Sequence, residues 1–259
     1  MANFNYGTIY GDYGDEKFTS TTNDIGAILG TRMILPAGRV YRYAFSNGAV
    51  GAGKGVQSSI ALANQDSDIA VSSAAAVGDK TVTITFGTSP NTDVVADQYA
   101  DGYLFVNDVD GEGHVYRIKH TDAHLAADVS DSPAVDINLH DSDGIAVALT
   151  TSSQVGLVAN PYKDVIITPG GAQTARVAGY TTTSVADDSY FWAQTWGESA
   201  LFVDGRLVIF TPVRVSDGVA GAVEAYSSDT DSEEQQVGFA TNVLAATTEY
   251  QFVFLQIAP

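Results

Sequence analysis

The side chains of this chain that could carry chemistry are its carboxylates, its four histidines, one glycine-lysine loop and two tryptophans. Gly48-Ala-Val-Gly-Ala-Gly-Lys54-Gly55 approaches the phosphate-binding pattern G-x-x-x-x-G-K-[ST]. Gly55 stands where a magnesium-ligating hydroxyl is needed, however, and no helical pattern follows to offer its N-terminus to phosphates, so a glycine turn is the favoured reading. Asn107-Asp108-Val109-Asp110-Gly111-Glu112 resembles the opening of an EF-hand calcium loop. Counted from Asp108, the glycine falls at the fourth place instead of the sixth, and the twelfth place is Lys119 instead of a bidentate glutamate. A hairpin turn accounts for the segment, with calcium at Asp108, Asp110 and Glu112, or at Asp141 and Asp143, as the alternative. His120 and His124 have a spacing that suits zinc on a helix, but their surroundings read as strand and loop, and neither H-E-x-x-H nor a cysteine partner accompanies them. No G-x-S-x-G follows a strand. Among 31 acidic residues a glycosidase-like pair can always be found, so pairs carry no information without geometry. Trp192 and Trp196 would share one face of a strand and could form a sugar-stacking platform; large core aromatics are the favoured alternative. No catalytic residue and no cofactor emerges.

The elements that must position these residues are strands. Tyr190-Phe-Trp-Ala-Gln-Thr-Trp-Gly197 alternates, with Phe191, Ala193 and Thr195 on one face and Trp192, Gln194 and Trp196 on the other. Gly197 is expected to break this run. Leu201–Val203 and Leu207–Phe210 would then pair as a hairpin across Asp204-Gly205. Hairpins are also expected across Asn107–Gly113, and across His140–Gly144 between 134–139 and 145–149. Tyr250–Ile257 reads as a central strand, and 227–236 as an exposed acidic loop. Strands at this spacing, punctuated by turn residues, give an all-β fold class: antiparallel, sandwich-like or barrel-like domains. Residues 1–30 read as an extended N-terminal arm with aromatic anchors at Phe4, Tyr6, Tyr10, Tyr13 and Phe18. Residues 31–160 form a β domain, and 161–259 a second one or its continuation, with Asn160-Pro161 as the boundary.

Charge excludes more than the motifs do. Twelve basic residues against 31 acidic ones give −19, with an isoelectric point near 4.2. That field repels phosphate backbones and argues against nucleic-acid binding. Only five lysines occur, and a carboxylate surface poor in lysine suits a protein adapted to high salt, where self-repulsion is screened. There is no cysteine, hence no disulfide framework and no thiolate chemistry. No secretory signal is visible at the N-terminus, and no run approaches the roughly 18 apolar residues of a membrane-spanning helix.

Three segments add a resemblance. They are Leu29-Gly-Thr-Arg-Met-Ile-Leu-Pro-Ala-Gly-Arg-Val-Tyr-Arg-Tyr-Ala44, then Tyr99–Lys119, then Tyr190–Gly197 running on to Gly205 with Ala220–Glu224 beyond. In order and spacing they resemble a group of tailed-virus virion proteins of the capsid decoration, or cement, type. The resemblance implies a non-enzymatic, β-rich protein on the outer surface of the capsid. It also implies the major capsid protein as partner and a homo-oligomer, with a trimer favoured. The aromatics of the arm are the expected contacts, and neither nucleic acid nor membrane is involved. The strongly acidic bias departs from the group and fits a halophilic host. A tail, turret or vertex component is the first alternative, and a carbohydrate-binding module using the two tryptophans is the second.

Overall fold

A computed structural model describes residues 7–86, 93–124, 134–226, 234–242 and 248–259. The fold is all-β. The strands are β1 (Ile9–Tyr10), β2 (Thr19–Ser20), β3 (Arg32–Ile34), β4 (Val40–Phe45), β5 (Gly55–Gln57), β6 (Ile69–Val71), β7 (Thr81–Thr85), β8 (Tyr103–Asp108) and β9 (Val115–Thr121). They continue with β10 (Ala134–Leu139), β11 (Gln154–Val158), β12 (Ile166–Ile167), β13 (Val177–Thr181), β14 (Tyr190–Phe202), β15 (Pro212–Val215), β16 (Val223–Ala225), β17 (Gln236–Ala240) and β18 (Tyr250–Gln256). No helix among the described residues is long and apolar enough to cross a membrane.

The chain divides into two compact units, one made of residues 1–59 with 161–259, the other of residues 60–160. The second unit is thus an insertion in the first. Its end coincides with the expected boundary at Asn160-Pro161, but its start lies near residue 60 and not 31. Strand pairing gives the reason: β5 hydrogen-bonds to β12 and β13, which binds residues 31–59 to the C-terminal part of the chain.

The inserted unit is a closed barrel of order β10-β7-β6-β11-β8-β9. Its strands alternate as the sequence alternates. Val82, Ile84, Leu104, Val106, Tyr116, Ile118, Val135, Ile137, Val155 and Leu157 point inward to a single apolar core. Outward neighbours pair across strands, as where the Thr83 hydroxyl donates to Asp136 at 2.8 Å. The hairpin across Asn107–Gly113 forms, joining β8 to β9. The one expected across His140–Gly144 does not. Both edges of β10 are already occupied, by β7 and β9, so residues 145–149 find no edge and make only a bridge between Leu149 and Ala75.

The larger unit holds a 12-stranded sheet whose main path runs β1-β3-β4-β14-β18-β17-β15-β16, with β2, β5, β12 and β13 joined off it. Strand β14 organises it. Its first half pairs with β4 and its second half with β18, and it serves three apolar clusters. Phe191 and Ala193 enter one with Val56, Val165 and Ala178. Trp192 enters another with Met33, Leu35, Tyr41 and Tyr43. Leu201 enters a third with Val213, Val237 and Val253.

Two sequence expectations fail on this strand. Gly197 does not end it: the backbone turns to φ +89° there and pairing continues on both sides. The Gln194 side-chain amide secures the irregularity, donating to the carbonyls of Trp196 (3.1 Å) and Glu198 (2.9 Å). Nor do 201–203 and 207–210 form a hairpin. The edges of β14 near Phe202 are taken, one by β18 and the other by the Phe202 N–H bond to Gly53 O at 2.9 Å. The chain after Gly205 is left irregular, anchored by the buried Leu207 and with Phe210 at φ +65°. Tyr250–Gln256 is a central strand, between β14 and β17.

The described part of the N-terminal segment lies on its own unit. Strand β1 pairs in parallel with β3, β2 pairs with β14, and Phe18 packs against the cluster around Trp192. Phe4 and Tyr6 lie outside the described residues.

Candidate functional site

The glycine-lysine loop is followed by strand β5 and not by a helix. Lys54 Nζ donates to Ala220 O at 3.3 Å and sits 4.4 Å from the centre of the Phe202 ring, so it serves packing and a cation–π contact, not a phosphate. The carboxylates proposed for calcium have separate partners. Asp108 Oδ1 accepts the Val109 N–H at 2.9 Å, and Asp110 Oδ2 accepts the Thr150 hydroxyl at 2.8 Å. Glu112 is exposed on the same turn. Asp141 takes Lys119 at 2.8 Å, and the Asp143 carboxylate accepts the Arg117 backbone N–H. Among the described residues, no group of three His, Asp or Glu side chains is placed to hold a metal ion. His124 is buried against the Phe86 ring while His120 is only partly covered.

Trp192 is 3% exposed, tilted against Tyr43 at 4.9 Å between ring centres. It cannot offer a face to a sugar, so the two-tryptophan platform fails. Of the expected contact aromatics, Tyr10 and Tyr13 are exposed, Tyr13 with its ring 5.9 Å from the Arg39 guanidinium, and Phe18 is half-buried in its own unit. Glu16, in the same segment, is buried and meets Arg39 at 3.4 Å. Burial works to raise its pKa, but the N–H groups of Gly14 and of Glu16 itself, with Arg39, outweigh it and hold the carboxyl below its ordinary range.

Three arrangements were not anticipated. The first is Arg214 on β15, only 3% exposed, ringed by Glu224 (2.9 Å), Asp217 (3.2 Å) and Glu234 (3.5 Å). Arg214 and Glu224 are direct cross-strand partners. Burial pushes the Glu224 pKa up, opposed by the Asp217 N–H and by Arg214. The sequence offers only the alternation Val213-Arg214-Val215, which sets arginine opposite two core valines without saying that it is buried. The second is His120, whose Nδ1 meets Asp97 at 2.5 Å and whose Nε2 meets Asp122 at 2.8 Å. These hydrogen bonds raise its pKa above the ordinary histidine value.

The third is an aromatic sheet face. After Gly197, β14 alternates again, with Ser199 and Leu201 inward and Glu198, Ala200 and Phe202 outward. On β18 the outward residues are Tyr250, Phe252, Phe254 and Gln256. Register sets Glu198 beside Phe254, Ala200 beside Phe252, Phe202 beside Tyr250, and Phe239 of β17 beside Phe254. The rings touch: Trp196–Phe254 at 5.7 Å, Phe239–Phe254 at 5.3 Å and Phe202–Tyr250 at 5.5 Å between centres. The outward period of Tyr250-x-Phe252-x-Phe254 carries this in the sequence; the pairing that joins Trp196, Phe202 and Phe239 to it does not.

No family model matches this chain, and neither curated proteins nor solved structures yield a similar one.

Proposed function

We propose that this chain is a non-enzymatic virion structural protein of the decoration type, binding the outer surface of a capsid shell and partnered by the major capsid protein. The reading starts from the three resembling segments. The structural observation that supports it is the placement of Tyr10 and Tyr13: both rings are exposed, and Tyr10 belongs to β1, the terminal strand of the large sheet. An edge strand offers unpaired N–H and C=O groups, and exposed tyrosines beside it supply contact area at low entropic cost. Repetition over a symmetric shell would multiply a modest contact into large stabilisation.

The test is attachment to shells stripped of the protein. Removing residues 2–28 would be a poor variant, because it also deletes Phe18 and the Glu16–Arg39 pair from the fold. Tyr10→Ala with Tyr13→Ala spares Phe18 and the Glu16–Arg39 pair and removes, besides exposed ring area, only the contact of the Tyr13 ring with the Arg39 guanidinium, 5.9 Å from its centre. Wild type should co-sediment with shells in proportion to capsid subunits, and the double variant should lose most of that binding while melting normally. Equal attachment by the double variant refutes the contact. Failure of the wild type to bind shells refutes the decoration reading. A handful of copies per particle assigns the chain to a tail, turret or vertex instead.

A further inference from the structure

We propose that the outward face of β14, β18 and β17 is a self-association surface, covered in solution by a second copy of this chain. The inference assigns a surface to the homo-oligomer that the decoration reading implies, and it uses a different part of the molecule from the shell contact, so self-association and shell binding are tested separately. The face presents Trp196, Phe202, Phe239, Tyr250, Phe252 and Phe254 on three neighbouring strands. Tyr250 is 50% and Phe252 49% exposed. Beside it lie the exposed Val208, Ile209 and Phe210, the last 73% exposed and tied to the end of β17 by its N–H bond to Ala240 O at 2.8 Å. A strand with one buried face normally turns polar residues to water; β18 turns Tyr, Phe and Phe.

Area and charge both select the occupant. Tyr250, Phe252, Val208, Ile209 and Phe210 each leave about half or more of their surface open, an apolar patch of the order of several hundred Å², at the upper end of what monomers expose and of the order of the ~800 Å² per partner of a stable protein interface. The chain carries a charge of −19, yet the outward residues of β18 are uncharged. On the face stands one acid, Glu198, whose Oε2 accepts the Thr241 hydroxyl at 3.0 Å, and at its border one base, Lys54, over the Phe202 ring. With Glu198 and Lys54 as the charges on its described strands and border, the face offers little complement to a strongly charged partner. It does match a second copy, equally neutral and aromatic. Two sheets packed face to face about 10 Å apart would interdigitate these rings as in a sandwich core. The remaining carboxylates stay outside, where their mutual repulsion is screened by salt.

Analytical ultracentrifugation of the full chain at about 0.1 M and about 2 M NaCl tests this. The wild type should pass from the 27.2 kDa monomer to a multiple of that mass at micromolar concentration, more tightly at the higher salt. A concentration-dependent blue shift of tryptophan emission should accompany it, because Trp196 becomes buried. Phe252→Asp, and independently Phe210→Asp, should weaken association on the order of 100-fold by burying a carboxylate in an apolar interface. Both positions are exposed in the single chain, so melting should be unchanged. Val115→Asp, also at an exposed position but in the inserted barrel, is the control and should have no effect. Three results overturn the proposal: a monomer at both salt concentrations, association that weakens with salt, or association unchanged by either aspartate. A persistent monomer would leave the face to a different protein or to a polysaccharide.

Discussion

Replacing Arg214 by methionine should be among the most damaging single changes in the larger unit. Its guanidinium is buried with carboxylates at 2.9, 3.2 and 3.5 Å. At an effective dielectric constant of about 20, the closest contact alone is worth ~6 kcal/mol of Coulomb attraction. Several kcal/mol of desolvation per ion offset it, so the pair contributes little net stability against an apolar substitute of equal shape. Removing one partner is a different matter, because Glu224 and Glu234 stay largely buried beside Asp217 with no cation. The expected loss is ~3–5 kcal/mol. Glu224→Gln added to Arg214→Met should restore about 1–2 kcal/mol of that loss by removing one stranded charge. Denaturant unfolding followed by tryptophan emission reports this unit, since both tryptophans lie in it. The loss should survive high salt, because a buried pair is poorly screened. A loss under about 1 kcal/mol, the range of surface pairs, or one abolished by salt would refute the argument that Arg214 is a buried hub.

The two tryptophans should differ: Trp192→Ala costs ~3–5 kcal/mol as a core truncation, whereas Trp196→Ala, at a half-buried ring packed edge-on against Phe254, costs less, about 1–3 kcal/mol in the single chain; a larger loss for Trp196→Ala than for Trp192→Ala in chemical denaturation would contradict their placement. Gly238→Ala should lose about 2–3 kcal/mol, because a Cβ there would stand 2.0 Å from Phe254 O; an unchanged melting curve would contradict the close approach of β17 to β18. His120 gives a pH signature. Its folded-state pKa is raised above the ordinary histidine value of about 6.5, so its clamp is complete below that pH and is lost as pH rises through the folded-state value. His120→Ala should therefore flatten the fall in stability of the 60–160 unit as pH rises above the ordinary histidine value, by a small and salt-sensitive amount because the site is largely solvent-accessible. A wild-type slope of the opposite sign would refute the clamp.

Much of the fold was legible because strand alternation was legible. Lys80–Phe86, Tyr103–Val106 and His114–Lys119 each show the period of two, and each is a barrel strand, β7, β8 and β9. Pairing choices were not legible. Asp204-Gly205 has hairpin chemistry, yet the edges it needed were occupied by β18 and by Gly53, which no local signal reveals. The insertion was equally hidden, since β5 finds its partners more than a hundred residues away. For the candidate surfaces the difficulty is similar. Phe252 and Phe254 look like core residues in a one-dimensional reading, because apolar character does not say which face is covered. Arg214 looks like an ordinary surface arginine for the converse reason.

The change in covering at Gly197 connects these two failures. Before it, Phe191-Trp-Ala-Gln-Thr195 is buried on both faces, and the sequence shows a continuous apolar-to-amide run with no charge. After it, Glu198-Ser-Ala-Leu-Phe202 alternates and carries the one acid of the strand. A single 13-residue strand therefore passes from the middle of a layered core to a sheet with one open side. Gly197 permits the passage, since its φ of +89° is unfavourable for other residues, and a Cβ there would stand 3.2 Å from Arg39 Cγ. The open side then inherits aromatic residues where alternation calls for polar ones. An exposed row of this kind on a chain of charge −19 combines opposite solubility tendencies. In the proposed assembly the acidic surface would keep the chain dispersed while the aromatic face would give association a single direction, favouring contact through that face over indiscriminate aggregation.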